Sequence, residues 1–311
     1  MKKQLEEIIQ TLSGGEGLKH FSFSQLSRNR SIAMHIVDYW CRTEKQRRAD
    51  KKKYKLGYGS LTGNVAQRLI GKYIFRGAEK EEIKDRDYDS IFNHEYKLYT
   101  KESFDDRDKQ IKEQIKDKLH GTTQQILSAV KNIFGNDELK CERYVDMLPK
   151  DLALGVTGRL DFETDLSFAE CKTKPPTAKD YRGDIKLYTQ KLPSEPDPVN
   201  ITQVAFYKIA SGKTPFLFYA NENDFIIFDD SHPALFDDHL EYCYNEMLNK
   251  AKTIQKLLVL SNGDPKIAAQ YVEKPDLNHW MMKDLSADQL KQSNNYGDKN
   301  ERKNKKSNRQ M

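Results

Sequence analysis

Residues Gly155 to Lys172 read GVTGRLDFETDLSFAECK, and this stretch decides the fold. Apolar and polar side chains alternate from Val156 to Glu163, which predicts a β-strand. Glu163-Thr164-Asp165 is typical of a tight turn, and a second strand is predicted from Ser167 to Thr173. The stretch therefore predicts a β-hairpin.

Side chains two positions apart on a strand point to the same face, so Glu170 and Lys172 share one face. Cys171 then points to the opposite face, which we expect to be the core. Asp161 lies late in the partner strand, within expected reach of Glu170. Carboxylates are hard oxygen ligands, and an ammonium group stabilises a hydroxide or a phosphate charge. These three residues therefore predict a metal-dependent hydrolytic site.

The alternative is an ordinary solvated strand face, because 32% of the residues are charged and the acid-x-Lys triplet is common. The triplet recurs at Glu95-x-Lys97, Asp184-x-Lys186, Asp264-x-Lys266 and Glu301-x-Lys303. Only the copy at Glu170 follows a strand that carries Asp161 and precedes a helix that carries Gln203 and Tyr207. This context favours the functional interpretation.

The ordered motifs resemble the RecB-like, Cas4-like exonuclease branch of the PD-(D/E)XK nucleases, which includes many phage exonucleases. The resemblance rests on Gly158-Arg159-Leu160-Asp161, Glu170-Cys171-Lys172-Thr173 and Gln203-x-x-x-Tyr207, in the family's order. His20-Phe-Ser-Phe-Ser-Gln-Leu26 looks like the opening segment of that branch. The likeness spans about residues 20 to 230, without a match between 79 and 137.

The resemblance implies that Asp161, Glu170 and Lys172 are catalytic. It also implies that Asp161, Glu170 and the backbone carbonyl of Cys171 hold Mg²⁺ or Mn²⁺. Gln203 and Tyr207 would lie beside this site and contact nucleic acid or the lysine. The implied function is a metal-dependent nuclease that hydrolyses DNA phosphodiester bonds, expected to be an exonuclease of DNA recombination, repair or degradation. Its partners would be single strands or duplex ends.

The family's Gly-x-x-x-His element aligns with Gly63 to Gln67, so Gln67 stands in place of the histidine as a weaker, uncharged metal ligand. His94 and Glu142 are the other candidates to complete the metal site. The substitution keeps open an alternative function, a catalytically inactive nucleic-acid-binding module. A small-molecule enzyme is disfavoured, because we find neither a phosphate-binding glycine loop nor a nucleophile triad. The sequence does not decide between DNA and RNA as the substrate. It also gives neither the polarity of cleavage nor any protein partner.

The composition predicts no membrane partner and a cytoplasmic location, in a host's cytoplasm if the chain is phage-encoded. Mean hydropathy is −0.84, long apolar runs are lacking, and the start MKKQLEEIIQTLSGG does not resemble a signal peptide. The four cysteines are scattered, which argues against a zinc site and against the iron–sulfur cluster of some relatives.

Charge predicts local nucleic-acid contacts rather than a uniformly basic surface. The net charge is +5, and residues 291–311 carry seven Lys/Arg against two acids, so the rest of the chain is near neutral. A basic run between Arg42 and Lys55 is either a phosphate-binding patch or a solvated helix face. The predicted nucleic-acid contacts are Gln203, Tyr207, Arg47, Arg48, Lys51, Lys52 and Lys174.

The predicted fold is one α/β domain over residues 1–290, followed by a disordered basic tail over 291–311. Its core is expected to be restriction-endonuclease-like PD-(D/E)XK, a central mixed sheet flanked by helices. Residues 79–137 are predicted to be a helical insertion, with two helices separated at Gly121. Residues 174–200 are predicted to be a long loop, because prolines disfavour regular structure there.

Overall fold

The computed structural model describes residues 2–15, 17–26, 31–40, 43–45, 63, 90, 92–94, 96–97, 111–135, 137–181 and 184–272. They belong to two compact units, formed by segments of 1–53, 146–157 and 245–311 and by segments of 54–145 and 158–244. The single domain over residues 1–290 stays a prediction. The predicted tail lies outside the described residues.

The first unit contains a short parallel strand pair and several helices. Helix α1 buries its apolar stripe of Leu5, Ile8, Ile9 and Leu12. Strand β1 pairs in parallel with the start of strand β3, Phe21 opposite Val156. The bounds are α1 Lys2–Gly15, β1 Phe21–Ser22, α2 Phe23–Leu26, α3 Ile32–His35, a π-helix Ile36–Trp40 and β3 Val156–Glu163.

The second unit is built on a mixed sheet. Strands β3 and β4 are antiparallel, β4 and β7 are parallel, and β7 and β8 are antiparallel, while β2 also pairs with β3. The parallel step from β4 to β7 needs a crossover, which contains helix α5. The bounds are β2 Lys140–Met147, β4 Ser167–Thr173, α5 Pro198–Ser211, β7 Thr214–Ala220 and β8 Phe225–Phe228.

Helix α4, Lys112–Phe134, covers one face of this sheet and buries Ile115, Leu119 and Ile126 against it. The predicted separation into two helices at Gly121 is wrong, because α4 runs through that residue. A Cβ atom on Gly121 would lie 2.6 Å from the backbone oxygen of Glu222. The glycine therefore permits a close approach of the helix to the chain after β7. This part of the predicted insertion belongs to the core.

Residues 174–200 contain a second, two-stranded sheet, so the prediction of a continuous loop is wrong. Strands β5, Thr177–Tyr181, and β6, Asp184–Tyr188, are antiparallel. The prolines of this segment lie before β5 and after β6, where they remove no hydrogen bond from the strand ladder.

Helix α5 lies on the sheet face opposite α4. The side chain of Asp197 caps it by accepting a hydrogen bond from the Val199 N–H, and Pro198 occupies its first turn. The Tyr207 ring packs edge-on against Phe168, with ring centroids 6.0 Å apart. The chain is thus α/β with a central mixed sheet flanked by helices, which confirms the coarse fold class.

The remaining helices follow β8. They are a 3-10 helix Pro233–Leu235, α6 Asp237–Ser261, α7 Pro265–Ala268 and a 3-10 helix Ala269–Tyr271. In the part of the chain that the structure describes, no helix combines the length and the apolarity needed to cross a membrane.

Candidate functional site

Successive side chains of strand β4 alternate between the two faces of the sheet. Ala169 and Cys171 point into the hydrophobic cluster beneath α4. The alternation of a strand therefore directs Glu170 and Lys172 toward the α5 face. Glu170 is 1% exposed, so the sheet buries this carboxylate in the second unit's interior.

The β3–β4 ladder pairs Phe162 with Ala169 and Glu163 with Phe168. The next positions along the strands are Asp161 and Glu170. There the Cys171 N–H donates to the Asp161 side chain instead of a backbone carbonyl, with an N–Oδ2 distance of 2.9 Å. This contact fixes the Asp161 carboxylate beside β4, and Asp161 is itself only 7% exposed.

Lys172 bridges the carboxylate to helix α5. Its Nζ lies 2.6 Å from Glu170 Oε1 and 2.9 Å from Gln203 Oε1. A quarter of its side-chain surface is exposed, at 25%. The ammonium group is therefore held in a fixed position by two oxygen acceptors while part of the side chain still reaches solvent.

Gln203 and Tyr207 lie on one face of α5, as their spacing of four predicts. The Tyr207 hydroxyl accepts from Gln203 Nε2 at 3.1 Å and from the Arg159 N–H at 3.0 Å. It donates to the Arg159 carbonyl at 2.7 Å. One tyrosine thus ties the glutamine that holds Lys172 to the strand that carries Asp161.

The approach of Tyr207 to β3 requires Gly158. A Cβ atom on Gly158 would lie 2.5 Å from Cε1 of Tyr207 and 2.8 Å from Cε1 of Phe206. Gly158 belongs to the motif Gly158-Arg159-Leu160-Asp161, and its role there is to leave room for these two rings. A glycine inside a strand signals close backbone approach, and that signal identifies this position.

Burial shifts the pKa of both carboxyl groups upward. Burial, and then the charge of Asp161, raise the pKa of Glu170 to about 8. Burial also raises the pKa of Asp161, although Lys172 opposes that shift. Burial alone would lower the pKa of Lys172, but the charges of Glu170 and Asp161 raise it. Lys172 is therefore protonated at neutral pH.

The site fits a divalent cation. Glu170 Oε2 is buried and has no hydrogen-bond partner. A cation there would supply the missing partner and favour the ionised carboxylates. Within the described ranges, no three His, Cys, Asp or Glu side chains lie close enough together to hold a metal ion. Mg²⁺ needs fewer protein ligands, since one or two carboxylates suffice where a phosphate and waters complete its coordination.

The other predicted site residues have varied positions. Lys174 extends β4, and its Nζ lies 5.3 Å from the centroid of the Tyr219 ring. Glu142 forms an ion pair with Arg159 at 3.5 Å. His94 is exposed. Gly63, which opens the predicted metal-site element, would place a Cβ atom 3.4 Å from Thr173 Oγ1 at the end of β4. Gln67, Arg47, Arg48, Lys51 and Lys52 lie outside the described residues.

Strand β3 carries a second buried carboxylate, Glu163, which its position in the sequence next to a predicted turn did not indicate. Glu163 is 1% exposed and pairs with Arg143 and with Lys213, whose Nζ lies 2.7 Å from Glu163 Oε2. These two cations compensate its burial. Glu163 therefore belongs to a structural network of ion pairs that joins β2, β3 and the start of β7.

The raised pKa of Glu170 predicts how stability depends on pH without metal. Between its ordinary value of 4.5 and about 8, Glu170 binds a proton in the folded state but not in the unfolded state. Wild-type stability should therefore fall with rising pH in that window, relative to the variant Glu170→Gln. Melting temperatures in EDTA from about pH 5 to about pH 8 test this. Parallel curves for the two proteins would contradict it.

Comparison with known proteins gives little likeness. No protein-family model matches the chain, and no curated protein matches it. A solved structure described as "Crystal structure of SSO0001" is similar at 12% identity, covering 61% of this chain and 86% of that chain, with a TM-score of 0.28. A TM-score this low supports no argument about fold or activity. The family of this chain therefore stays a prediction from its motifs.

Proposed function

We propose that this protein is a metal-dependent nuclease that hydrolyses phosphodiester bonds of DNA. The observation that carries the proposal is the buried pair Asp161 and Glu170, with Lys172 fixed beside it. The buried Glu170 Oε2 atom, which has no hydrogen-bond partner, is a position where a cation could bind.

The order of elements supports the same proposal. Apart from the β5–β6 hairpin, which lies between β4 and α5, the chain runs through helix α4, strands β2, β3 and β4, helix α5 and strand β7 in that order. This is the succession of helix, three strands, helix and strand that the PD-(D/E)XK resemblance implies. The acidic residues lie on the second and third of those strands, where the family's motifs place them.

Asp161 and Glu170 would hold Mg²⁺ or Mn²⁺, with the Cys171 backbone carbonyl as the further ligand that the resemblance implies. When bound, such a cation lowers the pKa of a water molecule and offsets the charge of a phosphate. The chain's own contribution is a buried pair of carboxylates held in fixed positions. The Cys171 N–H orients one of them, and the Lys172 ammonium orients the other.

Lys172 provides positive charge where a scissile phosphate would develop negative charge. Its raised pKa keeps it protonated, and the hydrogen bond to Gln203 Oε1 fixes its position. An ammonium group that is already oriented stabilises a transition state without reorganisation. Gln203 and Tyr207 act through Lys172, so we regard them as positioning residues.

The test is cleavage by the full chain of end-labelled linear DNA and of closed circular DNA. We expect cleavage with Mg²⁺ or Mn²⁺ and none with EDTA. Loss of linear DNA alone indicates an exonuclease, and nicking of circles indicates an endonuclease. DNA binding without cleavage under every metal condition would contradict the proposal and favour the inactive binding module.

A further inference from the structure

We propose that the outer face of the β5–β6 hairpin, formed by Thr177, Lys179, Lys186 and Tyr188, binds single-stranded DNA. A base would stack on Tyr188, and backbone phosphates would contact Lys179 and Lys186. The inference deepens the proposed function and rests on it for the identity of the strand. The segment was predicted to be a loop, so this face becomes visible only in the structure.

The hairpin is anchored through its inner face. Ala178, Ile185 and Leu187 pack against the hydrophobic cluster that contains α4. Gln114 Nε2 on α4 donates to the Ile185 carbonyl at 3.3 Å. Since strand side chains alternate, the residues between these apolar positions are directed outward.

Polar contacts fix the base of the hairpin. Glu222 accepts from Thr189 Oγ1 at 2.5 Å and forms an ion pair with Lys118 at 2.8 Å. Gln190 Nε2 donates to the Pro175 carbonyl at 2.6 Å, and Asn221 Nδ2 donates to the Gln190 carbonyl at 2.8 Å. The outer face is therefore presented by an ordered element, which lowers the entropy cost of binding.

The outer face carries two opposed positive charges. Lys179 and Lys186 are register partners, and both are exposed. Like charges directly opposite each other on a strand pair are destabilising. Among the ion pairs of the described residues, neither lysine has a carboxylate partner. Such an arrangement gains stability when an anion such as a phosphate lies between the two ammonium groups.

An aromatic ring lies beside these charges. Tyr188 is 46% exposed, and Lys179 Nζ lies 5.3 Å from its ring centroid. Its register partner is the small Thr177, and the Lys179 ammonium lies over one face of the ring, so a base would stack on the opposite face. Exposed aromatic rings next to basic side chains are the usual means of binding single strands, because every base has a stackable face. Paired bases in a duplex are already stacked and cannot use the ring in this way.

The hairpin also lies close to the candidate site along the chain. Thr177 follows Lys172 by five residues. An extended chain of that length spans at most about 18 Å. A strand on the outer face can therefore extend toward the carboxylate pair without a large gap.

The test measures binding of labelled oligo(dT) and of a labelled duplex to the full chain in EDTA, where no cleavage is expected. Tyr188→Ala should weaken oligo(dT) binding by about 5- to 150-fold, and Tyr188→Phe should retain it. Duplex affinity should change by less than about twofold, since stacking is lost only for single strands. Tyr242→Ala, at a 58% exposed tyrosine on α6, is the matched control.

Replacing both lysines by glutamine tests the phosphate contacts. The slope of log affinity against log salt for oligo(dT) should become shallower by about 1.4, from about 0.7 per phosphate contact. The control Lys150→Gln with Lys256→Gln removes the same charge at exposed lysines of the first unit, and its slope should match wild type. An equal change in the control would show that only bulk charge matters, and would overturn the inference.

The two proposals fail in different ways. Binding to oligo(dT) that depends on Tyr188, in a protein that never cleaves, would overturn the nuclease and keep the hairpin. Metal-dependent cleavage with unchanged oligo(dT) binding by Tyr188→Ala would overturn the hairpin and keep the nuclease. Absence of oligo(dT) binding by wild type, or an equal loss of duplex binding in Tyr188→Ala, also overturns the hairpin inference.

Discussion

Glu170→Gln and Lys172→Ala are each expected to reduce DNA cleavage by at least about 10³-fold. The first change removes the negative charge that would hold the cation while keeping the shape of the side chain. The second removes the ammonium group held 2.9 Å from Gln203. Single-turnover cleavage of linear DNA with saturating Mg²⁺ measures the chemical step in both variants.

Matched controls separate this effect from a general change of charge. Lys266→Ala alters an exposed lysine in the recurring triplet Asp264-Pro265-Lys266, and Glu241→Gln alters an exposed glutamate on α6. Both should cleave at the wild-type rate. Activity of Glu170→Gln or Lys172→Ala within about tenfold of wild type, about 1.4 kcal/mol of barrier, would contradict the assigned roles.

The spacing of residues predicted the centre of the fold because the relevant contacts are local. A period of two placed Glu170 and Lys172 on one face of β4 and turned Cys171 into the core. A spacing of four placed Gln203 and Tyr207 on one face of α5, where they form a hydrogen bond. The strand pair β7 and β8 also follows from two apolar runs around a turn.

Features that depend on distant residues were missed. Gly121 looks like a helix break because glycine costs about 1 kcal/mol in a helix interior. In the structure its missing side chain admits the backbone of Glu222, about a hundred residues later. The β5–β6 hairpin was missed because the surrounding prolines suggested a loop. Its strands are stabilised by packing on the α4 cluster, which local sequence does not reveal.

The candidate metal site could also be predicted from the sequence only in part. The sequence located Asp161 and Glu170, but it gave no sign that Glu170 Oε2 would be buried without a partner. Whether that oxygen has a hydrogen-bond partner depends on how far apart β3 and β4 lie beyond the pair of Phe162 and Ala169, and the sequence does not show that distance. The roles of Gln67 and of the basic residues between 47 and 52 stay predictions, because those residues lie outside the described part of the chain.

Gly158→Ala is expected to damage both stability and activity, although residue 158 has no side chain to contribute to the site. The added Cβ atom would lie 3.0 Å from the Tyr207 hydroxyl oxygen as well as against two aromatic rings. Overpacking of this kind costs about 1–3 kcal/mol. Each kcal/mol lowers the melting temperature by about 2–4 °C in a chain of this size.

Activity should fall further than the melting temperature alone implies. Displacing Tyr207 breaks its bonds to Arg159 and Gln203, and Gln203 then no longer fixes Lys172. A misplacement of about 1 Å can cost about 10²-fold in rate, and we expect a loss of about that size. Cleavage rates of the folded variant, measured well below its melting temperature, test this.

A double-mutant comparison shows whether Tyr207 carries the effect of Gly158. Tyr207→Phe keeps the ring and removes the hydroxyl, so it should lose activity with a smaller loss of stability. In a Tyr207→Ala background, Gly158→Ala should cost less stability than in wild type, because one of the two opposing rings is gone. Equal costs in both backgrounds would mean that Phe206 alone opposes the new atom. In that case Gly158 supports the core of the second unit and does not position Lys172.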